Sequence, residues 1–351
     1  MKPLQTSPKR GGFLKKYKMK TCNRLRFYTT ILLLCIITQN ISPSPFGEGR
    51  GGASPSPSGE SRGGASPSPF GEGRGGALAL VLGGGGAKGA AHIGVLKVME
   101  EVGLQPDIIV GTSIGAIVGG LYSVGYTSSH LDSLFRSQQW TRLFTREAIR
   151  GNTIKTMLDS LVAHPPAPPH PRTLVPPHPR KFACIASNLR TLSEVVLADD
   201  SLARNIRASM SIPALFKPVR YEGHVLYDGG LLNNLPVDVA REMGADLVIA
   251  VDLTVNHHDD DDDDDNDDDF DLMELLDLKN MKGLLGWLFN RPDFKKHRQN
   301  KAAADVYINP PLDGYSAISF STENIEEMIA VGEQEARGNV NLLKKMTKNN
   351  F

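Results

Sequence analysis

The chain is short of cysteine. Three occur in 351 residues, and Cys22 and Cys35 stand within the first 40. Only Cys184 remains beyond them, inside the apolar run Phe182-Ala183-Cys184-Ile185-Ala186, so that part of the chain has no internal disulfide and rests on a hydrophobic core. Net charge is missing too. The 39 Lys and Arg balance 39 Asp and Glu, which removes any general attraction to nucleic acid. The apolar run at 31–37 falls well short of the roughly 20 residues a spanning helix needs. A Walker-type phosphate loop is also absent, because Lys88 is followed by glycine rather than Ser or Thr.

The zero balance hides a strong asymmetry. Residues 1–26 carry nine Lys or Arg and no acid, while 259–269 is an aspartate run broken only by Asn266. The basic start leads into Ile31-Leu32-Leu33-Leu34-Cys35-Ile36-Ile37. A charged segment followed by a short apolar core reads as a secretory signal over 1–40, with a short retained membrane anchor as the other reading. The expected localisation is exported, periplasmic or membrane-associated. Residues 41–77 then hold three tandem units, SPSPFGEGRGGA, SPSPSGESRGGA and SPSPFGEGRGGA, at 42–53, 54–65 and 66–77. Such sequence offers too little apolar surface to offset its ordering entropy, and a disordered linker is expected.

At residue 78 the character changes. Leu78-Ala79-Leu80-Val81-Leu82 is a continuous apolar strand that ends in glycines, and 90–102 follows with helical spacing of Ile93, Leu96, Val98 and Met99. Asp107-Ile108-Ile109-Val110 is a second strand. This strand–helix–strand order predicts an α/β domain over 78–345 with a parallel sheet. Further strands are expected at 181–187, 194–197 and 246–251, a hairpin at 219–227, and helices at 201–209, 236–243 and 322–345. Two low-complexity insertions interrupt the domain. The proline-rich 164–180 reads as an exposed polyproline-like loop. The acid run 259–269 lacks the glycine and glutamate placement of a calcium loop and reads as a solvated tract, so no metal site is expected.

Chemistry concentrates in three glycine-framed motifs. Gly111-Thr112-Ser113-Ile114-Gly115 is a G-x-S-x-G sequence between a strand and a small-residue helix, the setting of a nucleophile elbow whose strained turn lets the Ser113 hydroxyl stand clear of the backbone. Asp228-Gly229-Gly230 supplies a carboxylate in a glycine turn, a base for that serine. Gly84, Gly85 and Gly86, followed by Ala87-Lys88-Gly89, offer backbone N–H groups beside a helix start, suited to an oxyanion. Lys88 either adds charge to that loop or is solvated. The spacing of Gly84, Gly86 and Gly89 also matches a dinucleotide fingerprint. That reading expects an acid at the end of the next strand, where this chain has the serine elbow instead, so no nucleotide cofactor is expected.

The order GGGGAKG, GTSIG and DGG, with AAHIGVLKVMEEVG and SIPALFKPV between, resembles the patatin-like phospholipase family, and its bacterial members in particular. The resemblance spans 78–345. It implies a three-layer α/β/α fold with a mainly parallel sheet, and a Ser–Asp dyad that needs no cofactor or metal. In that dyad Ser113 is the nucleophile, Asp228 the base that accepts its proton, and Gly84 to Gly86 the oxyanion loop; Gly89, Gly111, Gly115, Gly229 and Gly230 support the motifs. The implied activity is hydrolysis of fatty-acyl esters in phospholipids or related lipids, with a membrane or lipid as partner.

Two alternatives remain open. An α/β-hydrolase triad would need a histidine after the acid, and only His257, His258 and His297 follow Asp228. The first two abut the acid run, and His297 sits in the basic, surface-like Lys295-Lys296-His297-Arg298. His224, in the hairpin before Asp228, reads as structural, and His92 as a packed or surface side chain. The second alternative is a decayed hydrolase acting as an interaction protein. The run 281–289 is a candidate bilayer-docking, lid or core element.

Overall fold

The computed structural model describes residues 76–137, 153–166, 180–213, 215–254 and 294–349. The basic start, the apolar run at 31–37, the repeats up to residue 75, most of the proline-rich stretch, the acid run, His257, His258 and the 281–289 segment lie outside the described residues.

The domain opens as its apolar pattern requires. β1 (Leu78–Leu82) has every residue buried, and α1 (Ala90–Glu101) exposes little besides its charged end. β2 (Ile108–Thr112) passes into α2 (Ile114–Ser123), and α3 (Ser128–Arg136) and α4 (Thr153–Ala163) follow. β3 (Lys181–Asn188) and β4 (Ser193–Leu197) form a hairpin, and α5 (Leu202–Ser209) leads to a second one, β5 (Val219–Tyr221) and β6 (His224–Asp228). After α6 (Val237–Glu242) come β7 (Leu247–Val251), α7 (Phe294–Ala302), β8 (Val306–Ile308), α8 (Thr322–Gly338) and α9 (Val340–Asn349).

The strands make one eight-stranded sheet. β1 lies between β2 and β7, β2 runs beside β3 and β7 beside β8, all parallel, whereas β4, β5 and β6 pair antiparallel. Alternation along the strands sends side chains to both faces. Ala79, Val81, Ile108, Val110, Ala183 and Ile185 meet α6 through Val237, Val239 and Ala240. On the other face Cys184, Ala186 and Leu226 meet Ala116 of α2 and Ala208 of α5. Helices therefore cover both sides of a mostly parallel sheet, which is the expected three-layer α/β arrangement.

One pairing detail positions the chemistry. Ile185 pairs with both Thr112 and Val196, and Ala186 with both Asp228 and Val195. A strand residue has one partner on each edge, so β4 takes one edge of β3 while β2 and β6 share the other, end to end. Their carboxyl ends meet one residue apart along β3.

The expected single helix at 322–345 is instead two. α8 closes at Asn339, whose N–H bonds the Ala336 carbonyl at 3.1 Å, while its side chain bonds the Glu335 carbonyl at 3.1 Å. Gly338 and Asn339 are poor helix formers, and the side-chain bond back to the preceding turn competes with helix continuation.

Candidate active site

Ser113 is the single residue between β2 and α2. Its backbone sits at φ 55° and ψ −119°, a region side chains seldom occupy. Such a conformation costs on the order of 1–3 kcal/mol and persists only where its surroundings fix it. Here the Ser113 N–H donates to Ser209 Oγ at 2.9 Å, and its carbonyl accepts from the Ala116 N–H at 3.0 Å. Close packing supplies the rest. A Cβ on Gly115 would stand 2.1 Å from the Leu82 carbonyl oxygen, and one on Gly111 would stand 2.5 Å from the Gly115 oxygen. Both flanking positions exclude any side chain.

Asp228 ends β6, and the shared edge of β3 brings it to the elbow. Ser113 Oγ donates to Asp228 Oδ2 at 2.7 Å, and the Gly230 N–H donates to Oδ1 at 2.8 Å. Gly229, opening the turn that follows, accepts from the Asn233 N–H at 2.9 Å, and the Asp228 N–H donates to the Ser211 carbonyl at 2.9 Å. The carboxyl has no exposed surface. Burial pushes its pKa up to about 7, against the two hydrogen bonds that favour the charged form. A carboxylate poised there has the proton affinity a general base needs near neutral pH.

The glycine loop brackets this pair. A Cβ on Gly115 would lie 2.7 Å from the Gly83 oxygen, and one on Gly89 would lie 2.2 Å from Ile114 Cγ1. Hydrogen bonds then sort its N–H groups. The Gly84 N–H is engaged by Asn234, at 3.2 Å to Oδ1 and 3.4 Å to the carbonyl, and the Ala87 N–H donates to the Ala317 carbonyl at 2.8 Å. Of the three expected donors, the Gly84 N–H therefore already donates its hydrogen bond to Asn234. Gly85 and Gly86 stand between the two anchored groups, at the start of the 3-10 turn Gly86–Gly89, where helical geometry gives the first N–H groups no internal acceptor. Gly86 holds φ 61°, a conformation that suits glycine.

The histidines and Lys88 resolve separately. His92 is fully buried, and its Nε2 bonds the Gly83 carbonyl at 2.9 Å; burial pushes its pKa down to about 4. His224 Nδ1 meets the Asn188 amide at 2.8 Å. His297 departs from its surface-like reading. Its Nε2 pairs with the buried Asp252 at 2.8 Å, because α7 packs that side chain against the carboxyl end of β7. His130 serves the N-terminal cap of α3, and His164 bonds the Ser160 carbonyl. Among the described residues, no histidine hydrogen-bonds Ser113 or Asp228. Lys88 is buried rather than solvated, and desolvation pulls its pKa down, opposed by Asp313.

Ser209, Ser211, Asn233, Asn234 and His92 were not legible as site residues. They act on backbone groups of the three motifs, and a backbone hydrogen-bond partner leaves no spacing signature. No metal-ligating group of three or more His, Cys, Asp or Glu occurs among the described residues.

Residues 80–241 match the family model described as patatin-like phospholipase. The chain is 34% identical over 196 residues to mouse patatin-like phospholipase domain-containing protein 6, covering 50% of this chain and 13% of that protein. It is 30% identical over 289 residues to the mouse domain-containing protein 7, covering 74% of this chain and 20% of that one. Lysophospholipase nte1 of Emericella nidulans is 29% identical over 288 residues, 73% of this chain and 17% of that protein. The chain thus spans between 13% and 20% of these relatives' lengths. The crystal structure of VipD from Legionella pneumophila aligns with 76% of this chain and 67% of that one, at 15% identity and a TM-score of 0.38. The matched span contains the elbow, the aspartate turn and the glycine loop, and this domain belongs to the patatin-like phospholipase family.

Proposed function

We propose that the protein hydrolyses fatty-acyl esters of phospholipids or lysophospholipids through an acyl-enzyme on Ser113. The carrying observation is the buried 2.7 Å hydrogen bond from Ser113 Oγ to an aspartate whose burial holds its pKa about 7. Asp228 takes the Ser113 proton as Oγ attacks the acyl carbonyl, and Gly85 and Gly86 N–H groups hold the oxyanion. Collapse of that intermediate expels the lipid alcohol, which leaves with the proton from Asp228. A water then loses its proton to Asp228 and attacks the acyl-serine. Fatty acid departs, Ser113 regains its proton, and no metal or cofactor is called on. Lysolipid esters suit the reading because one similar relative is described as a lysophospholipase. The basic-then-apolar start would deliver the domain to, or hold it at, a membrane.

Hydrolysis of p-nitrophenyl butyrate by the full chain tests the chemistry. Ser113→Ala and Asp228→Asn should each lower kcat by roughly a thousandfold or more, while alanine at His224, His257, His258 and His297 together leaves the folded enzyme active. An essential histidine would replace the dyad by a triad. A folded but inert wild type would favour a decayed, interacting protein.

A further inference from the structure

Asn234 sits where the three motifs converge. The segment after the aspartate turn is tied to that turn by the Asn233 N–H to Gly229 carbonyl bond, and to β2 by Thr112 Oγ1 donating to the Asn233 carbonyl at 3.0 Å. Asn234 itself is 5% exposed and spends its side chain on one glycine. Its Oδ1 accepts from the Gly84 N–H at 3.2 Å, and its Nδ2 donates to the Gly84 carbonyl at 3.4 Å.

The consequence follows from peptide geometry. A trans peptide is planar, and its C=O and N–H point in opposite directions. The Gly83–Gly84 peptide is held on both edges, by His92 on the Gly83 carbonyl and by Asn234 on the Gly84 N–H. The Gly84–Gly85 peptide is held at its carbonyl by Asn234 Nδ2, and its opposite edge is the Gly85 N–H. Glycine would otherwise let these planes rotate at little steric cost. We infer that Asn234 is the positioning residue of the oxyanion loop: by fixing the Gly84 carbonyl it aims the Gly85 N–H at the reacting oxygen. Asn234 touches no substrate atom. It removes Gly84 from the donor set and preorganises Gly85, so that reorientation is not needed as charge develops. The inference rests on the hydrolase reading of the site.

Asn234→Asp keeps the size and the acceptor for the Gly84 N–H but replaces the donor by a carboxylate oxygen facing the Gly84 carbonyl. Asn234→Ala removes both. The full chain and the two variants would be compared in kcat and KM for p-nitrophenyl butyrate, and in the rate of Ser113 labelling by a fluorophosphonate, which passes through an oxyanion without requiring turnover. Circular dichroism melts select conditions in which all three are folded. The expected result is a fall in kcat of roughly ten- to a hundredfold in both variants, with KM changed little and labelling slowed in parallel. That split is not what lost folding produces, since unfolded protein lowers the active fraction and leaves the labelling rate of the remainder unchanged. Variants that turn over and label like wild type, or that lose only KM, overturn the role of Asn234 while the dyad stands. A folded wild type that neither turns over nor labels overturns the dyad reading, and this inference with it.

Discussion

Asp228 is a carboxylate without exposed surface and without a cation on it among the described residues, and two measurable effects follow. In its proposed role as base it must be ionised, so kcat/KM should rise with pH through about 7 and then level. A profile flat from pH 5 to 9 at the dyad's rate would contradict this. The stability effect has the opposite sign. The folded-state pKa is raised from an ordinary 3.8 to about 7, so between those values the folded chain keeps a proton that the unfolded chain has released. Stability associated with Asp228 is fully present below about 4 and lost as pH rises through 7. Asp228→Asn should therefore be more stable than wild type at pH 8, by up to roughly 4 kcal/mol, with the gain vanishing toward pH 4. Urea titrations at the two pH values check it, and a gain that grows on acidification would refute the burial account. Serine and aspartate were legible in the sequence because glycines mark the turns that carry them. Their 2.7 Å contact was not, since it depends on β2 and β6 ending side by side on β3.

Elements were legible where one pattern dominated. β1 and β7 are unbroken apolar runs, and β2 and β3 carry such runs at 108–110 and 182–186, as strands buried on both faces should, while α1 shows its period plainly. α3 escaped because its capping box uses His130 where Glu or Gln would be the usual signal. β8 is three residues long and exists as a strand only because it adds to β7. α8 and α1 illustrate packing that composition alone conceals. A Cβ on Gly332 would lie 2.1 Å from the Ala91 carbonyl oxygen, and one on Gly94 would lie 2.1 Å from that of Ile329, so the two backbones touch through glycine. Gly332→Ala must push the helices apart and should destabilise by about 1–3 kcal/mol, with turnover per folded molecule retained. A thermal melt unchanged by the substitution would show that the helices separate without strain.

Across the described domain, α7 is tied to the sheet and to α6 by its polar side chains. Lys296 reaches Glu194 at 2.7 Å and Asp238 at 2.9 Å, and Asn300 reaches Asn233 at 3.1 Å. His297 holds Asp252, which also accepts from Tyr307 and Thr254. Burial alone would raise the Asp252 carboxyl, but His297 and these donors hold it below the usual carboxylate range. Removing His297 takes one donor from a buried carboxylate that keeps Tyr307 and Thr254, so His297→Ala should lower stability by roughly 1–3 kcal/mol. A variant as stable as wild type in urea would show that Asp252 does not depend on it. No local pattern announces a tie between positions 252 and 297, which is why the sequence read that histidine as surface.

The reaction proposed for this chain is acyl-ester hydrolysis at Ser113 on lipid. The most direct test is release of free fatty acid from mixed phospholipid and lysophospholipid vesicles by the full chain and by Ser113→Ala at pH 8. Steady release by wild type and none above background by the variant is the expected result. Equal release by both, or none from a wild type that is folded and labelled at Ser113, would contradict it.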